Sequence, residues 1–367
     1  MATSSQVRYQ ADENPPSPLA FGLGLQYAVL TISGIVLTPA IVIRAAGLGD
    51  PFLTWAAFAA LLVSGITTFV QARRIGQFGA GYILLMGTSG AFIAVCVTAL
   101  VEGGPSLLAT LVIVSSLFQF LLAWRLSWLR RVVTPIVGGT VIMLIAVTVM
   151  PIIFGMLEQT PPDAPAAAAP VSAVVTLALV VGIVLRARGH LRLWAPVVGV
   201  AGGCVVAGFF GLYDWQRVVE APWVGIPTIG FDGWDLRLGP AFWSLLPAFV
   251  FVTVVGAIET VGDAVAIQRV SWRSDRAVDY RSVQGAVNAD GLGNLLSGML
   301  GTVPNTTYST SVAVAELTGV GARVVGVYIG VLFLAFAFLP KVTALLLAIP
   351  GPVAAAYVMI LLSMLFV

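Results

Sequence analysis

Gly301-Thr-Val-Pro304-Asn305-Thr306-Thr307-Tyr308-Ser309-Thr310-Ser311-Val-Ala-Val314 interrupts an otherwise apolar region. Pro304 removes a backbone donor, and the β-branched Thr306 and Thr307 favour extended backbone. Ser309, Thr310 and Ser311 then offer side-chain oxygens of the kind that cap a new helix. An extended stretch followed by a half-helix is the expectation. Earlier in the chain, Gly76-Gln-Phe-Gly-Ala-Gly-Tyr-Ile-Leu-Leu-Met-Gly87-Thr88-Ser89-Gly90-Ala-Phe-Ile93 follows the same plan, resetting at Gly-Thr-Ser-Gly. Irregular backbone at membrane depth survives only where protein or a water-filled cavity covers it. Such interruptions at corresponding places in the two halves of a chain point to a transporter's central site.

The surrounding composition makes lipid the solvent. Of 367 residues, 59% are hydrophobic and 9% charged, against roughly 25% charged in a soluble domain. Mean hydropathy is +1.01. A cytosolic enzyme, a nucleic-acid binder and a disordered chain are excluded, and a net charge of +2 gives no polyanion-binding signal. Each helical span uses about 20 residues plus a loop. Spans are read near 19–43, 52–71, 80–100, 106–124, 132–154, 171–187, 193–212, 240–267, 284–300, 304–318, 322–339 and 352–367. A Pro/Ala linker occupies 158–170, and 213–239, with Trp215, Trp223 and Trp234, forms an interfacial loop. Cys96 and Cys204 sit in apolar runs without metal-like or disulfide spacing.

Residues 1–18 are polar and lack the basic start and short apolar run of a cleaved signal. They are read as a cytoplasmic tail. With that end inside, fourteen of the eighteen basic residues fall in inner loops, among them Arg73, Arg74, Arg130, Arg131, Arg273 and Arg323. Only Arg44, Arg217, Arg237 and Lys341 fall outside, a strong positive-inside bias.

The eighth span carries Glu259 and Asp263, four residues apart and therefore on one helical face. A charge at the bilayer centre costs about 2.5–3.5 kcal/mol even on the lenient insertion scale. The pair should face a cavity, a partner or a proton, and two acids so close cannot both ionise freely. No span holds a His-Glu-x-x-His, a Gly-x-Ser-x-Gly or a metal cluster, so neither an enzyme nor a cofactor is expected.

Several motifs together resemble the nucleobase–ascorbate transporter family, also called the nucleobase–cation symporter-2 or xanthine/uracil permease family. They are Gly-Leu-Gln26-Tyr27, Val-Thr-Pro135-Ile-Val-Gly138-Gly-Thr140, Leu193-Trp-Ala-Pro196, Glu259-Thr-Val-Gly-Asp263 and Asp290-Gly-Leu-Gly-Asn294. Pro304-Asn-Thr-Thr-Tyr308-Ser, Leu317-Thr-Gly-Val-Gly-Ala-Arg323 and Ile349-Pro-Gly-Pro352 complete the set, which covers the chain from about residue 18.

The resemblance implies an all-α polytopic membrane protein with a seven-plus-seven inverted repeat and broken third and tenth spans. It implies a core of spans 1–4 (19–124) and 8–11 (240–339) and a gate of spans 5–7 (132–212) continued by span 12 (352–367). It also implies a bacterial-type inner-membrane permease that takes up a nucleobase with protons by alternating access. Glu259 would hold the ring N–H groups of the base, and Ser89, Gly90, Thr88, Tyr308, Thr310 and Ser311 would line the pocket. Glu259, Asp263 and Asp290 would serve proton coupling or support of the site, with a homodimer left open.

Four positions depart from the family pattern. Thr310 and Ser311 stand where an acid or amide and an Asn are usual, Gly90 where an aromatic is frequent, and Tyr27 where His is frequent. The Glu259-Thr-Val-Gly-Asp263 motif resembles the purine-transporting members, which favours xanthine or urate over uracil. Pro352 to Val367 is 16 residues, roughly 24 Å of helix at ~1.5 Å each, short of the ~30 Å bilayer core. The expectation is a chain truncated in span twelve. Two alternatives stand beside the permease. One is an anion transporter or channel on the same fold, binding at the half-helix N-termini near Ser89 and Ser309; Glu259 would repel its cargo. The other is a non-transporting fragment that assembles with a full-length partner.

Overall fold

A computed structural model describes residues 7–125, 135–161 and 163–363. The readings on residues 1–6, on Arg130 and Arg131, on the start of span five at 132–134 and on the last four residues of span twelve lie outside the described residues.

Helices α1 (Ser17–Ala45) and α2 (Asp50–Arg73) open the chain. Strand β1 (Leu85–Thr88), a 3-10 turn (Gly90–Phe92) and α3 (Ile93–Trp124) follow. Next come α4 (Pro135–Leu157), α5 (Ala168–Arg186), a single turn (His190–Leu193), α6 (Ala195–Phe209) and the short α7 (Trp215–Glu220). The remainder is α8 (Pro240–Val270), α9 (Tyr280–Met299), β2 (Asn305–Tyr308), α10 (Thr310–Thr318), α11 (Arg323–Ala337), α12 (Pro340–Leu347) and α13 (Gly351–Ser363). Among the described residues, five helical segments are long and apolar enough to cross a membrane singly. The pair α11 and α12, bent by 83° at their junction, gives a sixth.

Besides α7, which lies within the segment 213–239 read as a loop, two features differ from the sequence reading. The second part of span three and all of span four are joined in α3, but Gly104 breaks it with φ +69 and ψ −169, just before Pro105. Only glycine takes that conformation cheaply, and Pro105 restarts a helix without needing a donor. The segment between spans eleven and twelve, left unassigned by the span reading, contains α12, started by Pro340 at its first position.

The helices pack in two groups. In the first, α1 and α2 pack on α11, while α3 packs on α8 and α9. Small residues set the distance between α2 and α11. A Cβ on Gly65 would come within 2.9 Å of the Leu334 backbone nitrogen, and one on Gly330 within 2.8 Å of that of Phe69. Membrane helices attract one another mainly through such close packing, since lipid is as apolar as leucine. In the second group, α13 packs on α4, α5 and α6. Residues 351–358 at the start of α13 are buried there.

The segment before α1 is docked. Arg8 N–H donates to Gly319 O (2.7 Å), Gly321 N–H to Tyr9 O (2.8 Å) and Arg323 N–H to Ala11 O (3.0 Å), so residues 8–11 lie along the α10–α11 connection, with a parallel bridge between Tyr9 and Val320. Both guanidinium tips of Arg273 donate to the Glu13 carboxylate at 2.7 Å. Arg273, helped by the Gln10 backbone N–H, holds the Glu13 carboxyl down at about 2. A carboxyl depressed on folding contributes above its unfolded value and loses that contribution as pH falls toward its folded one. The clasp is therefore expected to loosen between about pH 4.3 and about pH 2. Hydrogen-exchange protection of the Arg8 and Gly321 amides should drop across that window. Glu13→Gln should show the lower protection already at pH 7 and no step below it. The pair is partly exposed, so the effect is local and weakened by salt.

Candidate functional site

The two sequence interruptions meet as a two-stranded antiparallel ribbon. Leu85 faces Tyr308, Met86 faces Thr307, Gly87 faces Thr306 and Thr88 faces Asn305. Each strand hands over to a helix, β1 through Gly90–Phe92 into α3 and β2 into α10. The arrangement satisfies each interrupted backbone with the other, as broken spans require.

Side chains around the ribbon lock its register. The Tyr308 hydroxyl donates to Thr88 O at 2.9 Å. The Thr88 hydroxyl lies 3.2 Å from Gly34 O and 3.1 Å from Ile35 O, tying β1 to α1. The Ser311 hydroxyl donates to Tyr308 O (2.7 Å) and accepts from Leu85 N–H (2.9 Å), while Tyr27 donates to Ser311 O (3.3 Å). Gly87 is required by contact: a Cβ there would sit 2.4 Å from a Tyr308 ring carbon. Gly87→Ala is expected to push Tyr308 off Thr88 and separate the strands. Intrinsic tryptophan and tyrosine fluorescence during thermal unfolding should show a loss of about 1–3 kcal/mol, the usual cost of overpacking. Gly87→Ala in a Tyr308→Phe background should not recover it, because the ring carbons clash as well as the hydroxyl.

Helix α8 runs beside this ribbon and brings its acids to it. Asp263, buried at 7% exposure, accepts from Thr307 Oγ1 and Ser309 Oγ, both at 2.7 Å. Ser309 thus bonds across to α8; neither it nor Ser89 makes a side-chain cap, against the capping expectation. An ionisable acceptor one helix away outcompetes a backbone N–H for the Ser309 hydroxyl, because bonds to charged groups are the stronger ones. Glu259, one turn earlier in α8, is exposed. The Thr306 hydroxyl interacts with it electrostatically but completes no hydrogen bond of ordinary geometry.

Asp290 lies behind these two and is fully buried. Its Oδ2 accepts from Gln119 (2.6 Å) and from Thr260 (2.7 Å). Asn294 donates to Gln119 Oε1 (2.7 Å), and its own carbonyl accepts from Asn305 N–H (2.6 Å). The chain of bonds joins α3, α8 and α9 to the first residue of β2. The sequence gives no signal for Thr260, and marks Thr307 only as a residue that favours extended backbone. Gln119 could have been found, since an amide between Phe118 and Phe120 in an apolar span has to find a polar partner.

The residues expected to line a pocket therefore fall into two sets. Thr88, Ser89 and Ser311 are buried at 3%, 2% and 0% exposure, and the Thr88 and Ser311 hydroxyls are engaged within the scaffold. Glu259 is exposed, and Gly90, Tyr308 and Thr310 are half-buried. Beyond Gly90 there is open space, with no atom within 4 Å of where a Cβ would stand. Asp263 and Asp290 stand apart from this second set, bonded to the ribbon and to its support. Among the described residues no cluster of His, Cys, Asp and Glu could hold a metal ion.

Apolar spans around a pair of broken segments, with an exposed carboxylate beside them, define a membrane transporter. The chain belongs to the xanthine/uracil permease family, described as a permease family, whose model matches residues 20–367. It is similar to a putative purine permease of Clostridium perfringens (strain 13 / Type A), 29% identical over 358 residues, or 96% of this chain and 76% of that protein. It is also similar to the xanthine permease XanP of Escherichia coli (strain K12), 27% identical over 367 residues, or 95% of this chain and 78% of that one. Among solved structures it resembles the transmembrane domain of a cyanobacterium bicarbonate transporter, BicA, at a TM-score of 0.65 and 13% identity, covering 98% of this chain and 92% of that one. That likeness concerns the fold, the seven-plus-seven inverted repeat. The protein is an integral membrane permease.

Proposed function

We propose that this permease carries a purine base of the xanthine or urate type together with a proton, and that Glu259 recognises the base. The observation that supports this reading is the contrast among the three acids. Both oxygens of Asp263 accept hydroxyls and Oδ2 of the fully buried Asp290 accepts a hydroxyl and an amide, whereas the Glu259 carboxylate is exposed beside the ribbon. A carboxylate accepts from adjacent ring N–H groups, and few base edges present such donors side by side. Gly90, Tyr308 and Thr310 would form the rest of the pocket, with Ser89, Thr88 and Ser311 holding its frame. The names of the similar purine and xanthine permeases favour a purine.

In this reading α1–α3 and α8–α11 form the core, and α4–α6 with α13 form the gate against which it moves. The N-terminal end would face the cytoplasm across a bacterial-type inner membrane, as the arginine distribution favours. An exposed carboxylate speaks against the anion-carrying alternative, because it would repel the cargo.

Binding to the purified protein tests the reading. Radiolabelled xanthine should bind and be displaced by urate and guanine well before uracil, while sulfate should not compete. Binding in weakly buffered solution should take up about one proton per base. Preferential binding of uracil would overturn the purine assignment, and binding of sulfate alone would overturn the base assignment.

A further inference from the structure

Two adjoining cavities form an amphipathic site. The first, of about 450 Å³, lies between α1 and α6 and is closed by α11 and α12. Its wall is almost wholly apolar, with Ile32, Val200, Cys204, Phe336 and Leu346 among its residues. Since α1 belongs to one helix group and α6 to the other, the slot lies between the two groups. Its volume is within the ~300–1,000 Å³ range of small-molecule sites.

At one end of the slot the lining changes character within a single residue. Tyr213 belongs to the apolar cavity, and the next residue, Asp214, to a polar one of about 210 Å³. Ile349 lines both. The Tyr213 ring packs on Trp215 at 4.7 Å, and its hydroxyl donates to Leu345 O at 2.9 Å. Aromatic rings with one wet edge collect at the level of lipid headgroups.

The polar cavity is lined by Arg44, Arg217 and Asp214, and Asp50 stands next to it as the ion-pair partner of Arg217. Arg44 donates to the carbonyls of Leu347 and Ile349 at the end of α12, and Arg217 pairs with Asp50 at 2.8 Å. These bonds use only part of the five N–H donors that each guanidinium carries. Arg44 and Arg217 are also half of the four basic residues that the charge distribution assigns to the outer side. Basic residues there run against the positive-inside trend, and an anionic group at the headgroup level gives their remaining N–H donors an acceptor.

We propose that this is a binding site for one phospholipid, with an acyl chain in the α1–α6 slot and the phosphate at Arg44 and Arg217. The lipid would bridge the two helix groups. The apolar length, the aromatic pair and the arginines follow one another in the order in which a phospholipid presents its chain, its interfacial region and its phosphate.

Native mass spectrometry of the full chain in detergent, with probes added singly, tests the assignment. The probes are dioleoyl phosphatidylglycerol, dioleoylglycerol, which lacks the phosphate, and inorganic phosphate. One phosphatidylglycerol per chain should be retained, at least tenfold more tightly than dioleoylglycerol, with no adduct of inorganic phosphate. Ala201→Phe, which fills the slot from an exposed position of α6, should lower retention at least tenfold. Val205→Phe, also exposed and in the lining, should do the same and guards against a folding defect in the first variant. Arg217→Gln should bring phosphatidylglycerol down to the level of dioleoylglycerol and leave dioleoylglycerol unchanged. Equal retention of the two lipids, or retention indifferent to both slot-filling variants, would overturn the site. An adduct of inorganic phosphate with no retention of phosphatidylglycerol would show an anion pocket without a lipid slot and would overturn it too.

Discussion

Glu259→Gln is expected to lower base affinity at least thirtyfold while leaving the fold intact. The substitution keeps the shape of the side chain and exchanges one acceptor oxygen for an N–H₂ donor. An exposed position beside the ribbon asks nothing of the charge for folding, because Glu259 makes none of the ordinary hydrogen bonds that hold Asp263 and Asp290. In the base complex the loss is larger. A hydrogen bond to a charged group is worth about 1.5–3 kcal/mol, and a ring N–H left facing another donor adds a desolvation penalty. A total of about 2–4 kcal/mol follows, and ~1.4 kcal/mol is tenfold in affinity. Equilibrium binding of labelled xanthine to wild type and variant, with thermal unfolding as the control, measures both. Unchanged binding with an unchanged melting profile would remove Glu259 from recognition.

Much of this architecture is legible because lipid imposes strict rules. A span must satisfy its own backbone, so an apolar run broken by Gly-Thr-Ser-Gly or Pro-Asn-Thr-Thr announces an exception. The sequence locates both exceptions within a few residues of β1 and β2. What it does not reveal is that the two strands pair with each other. Pairing register depends on which side chains meet across the ribbon, and Gly87 under the Tyr308 ring becomes intelligible only once the strands are opposed. The hydroxyls are equally ambiguous in one dimension. Thr88, Ser309, Thr310 and Ser311 have the same chemistry on paper, yet Ser311 braces Leu85 and Ser309 serves Asp263. A hydroxyl can cap, brace or bind, and its neighbours decide. The bend between α11 and α12 was likewise hidden, since Pro340 fits a loop as well as a helix start.

Asp263 offers the sharper test of proton coupling, because two substitutions there separate structure from chemistry. Asp263→Ala removes the acceptor of both the Thr307 and the Ser309 hydroxyl. Ser309 is exposed and can turn to water, and Thr307 retains Thr260 at 3.4 Å, so part of the loss is recovered. About 2–4 kcal/mol of the two bonds to the carboxylate should remain lost, seen as a lower melting temperature and base binding weakened through a loosened α10. Asp263→Asn is different. Its carbonyl still accepts one hydroxyl, and its NH₂ donates to the other, since a Ser or Thr hydroxyl can turn from donor to acceptor. The ribbon should hold and base affinity should stay within about threefold, less than ~1 kcal/mol. An amide cannot take up a proton in this range, so the proton uptake that accompanies base binding in the wild type should be absent. Measured side by side with an indicator dye and labelled base, the two variants give different signatures. Asn retaining full proton uptake would make Asp263 a brace for Thr307 and Ser309 alone, and would leave Glu259 as the group that carries the proton with the base.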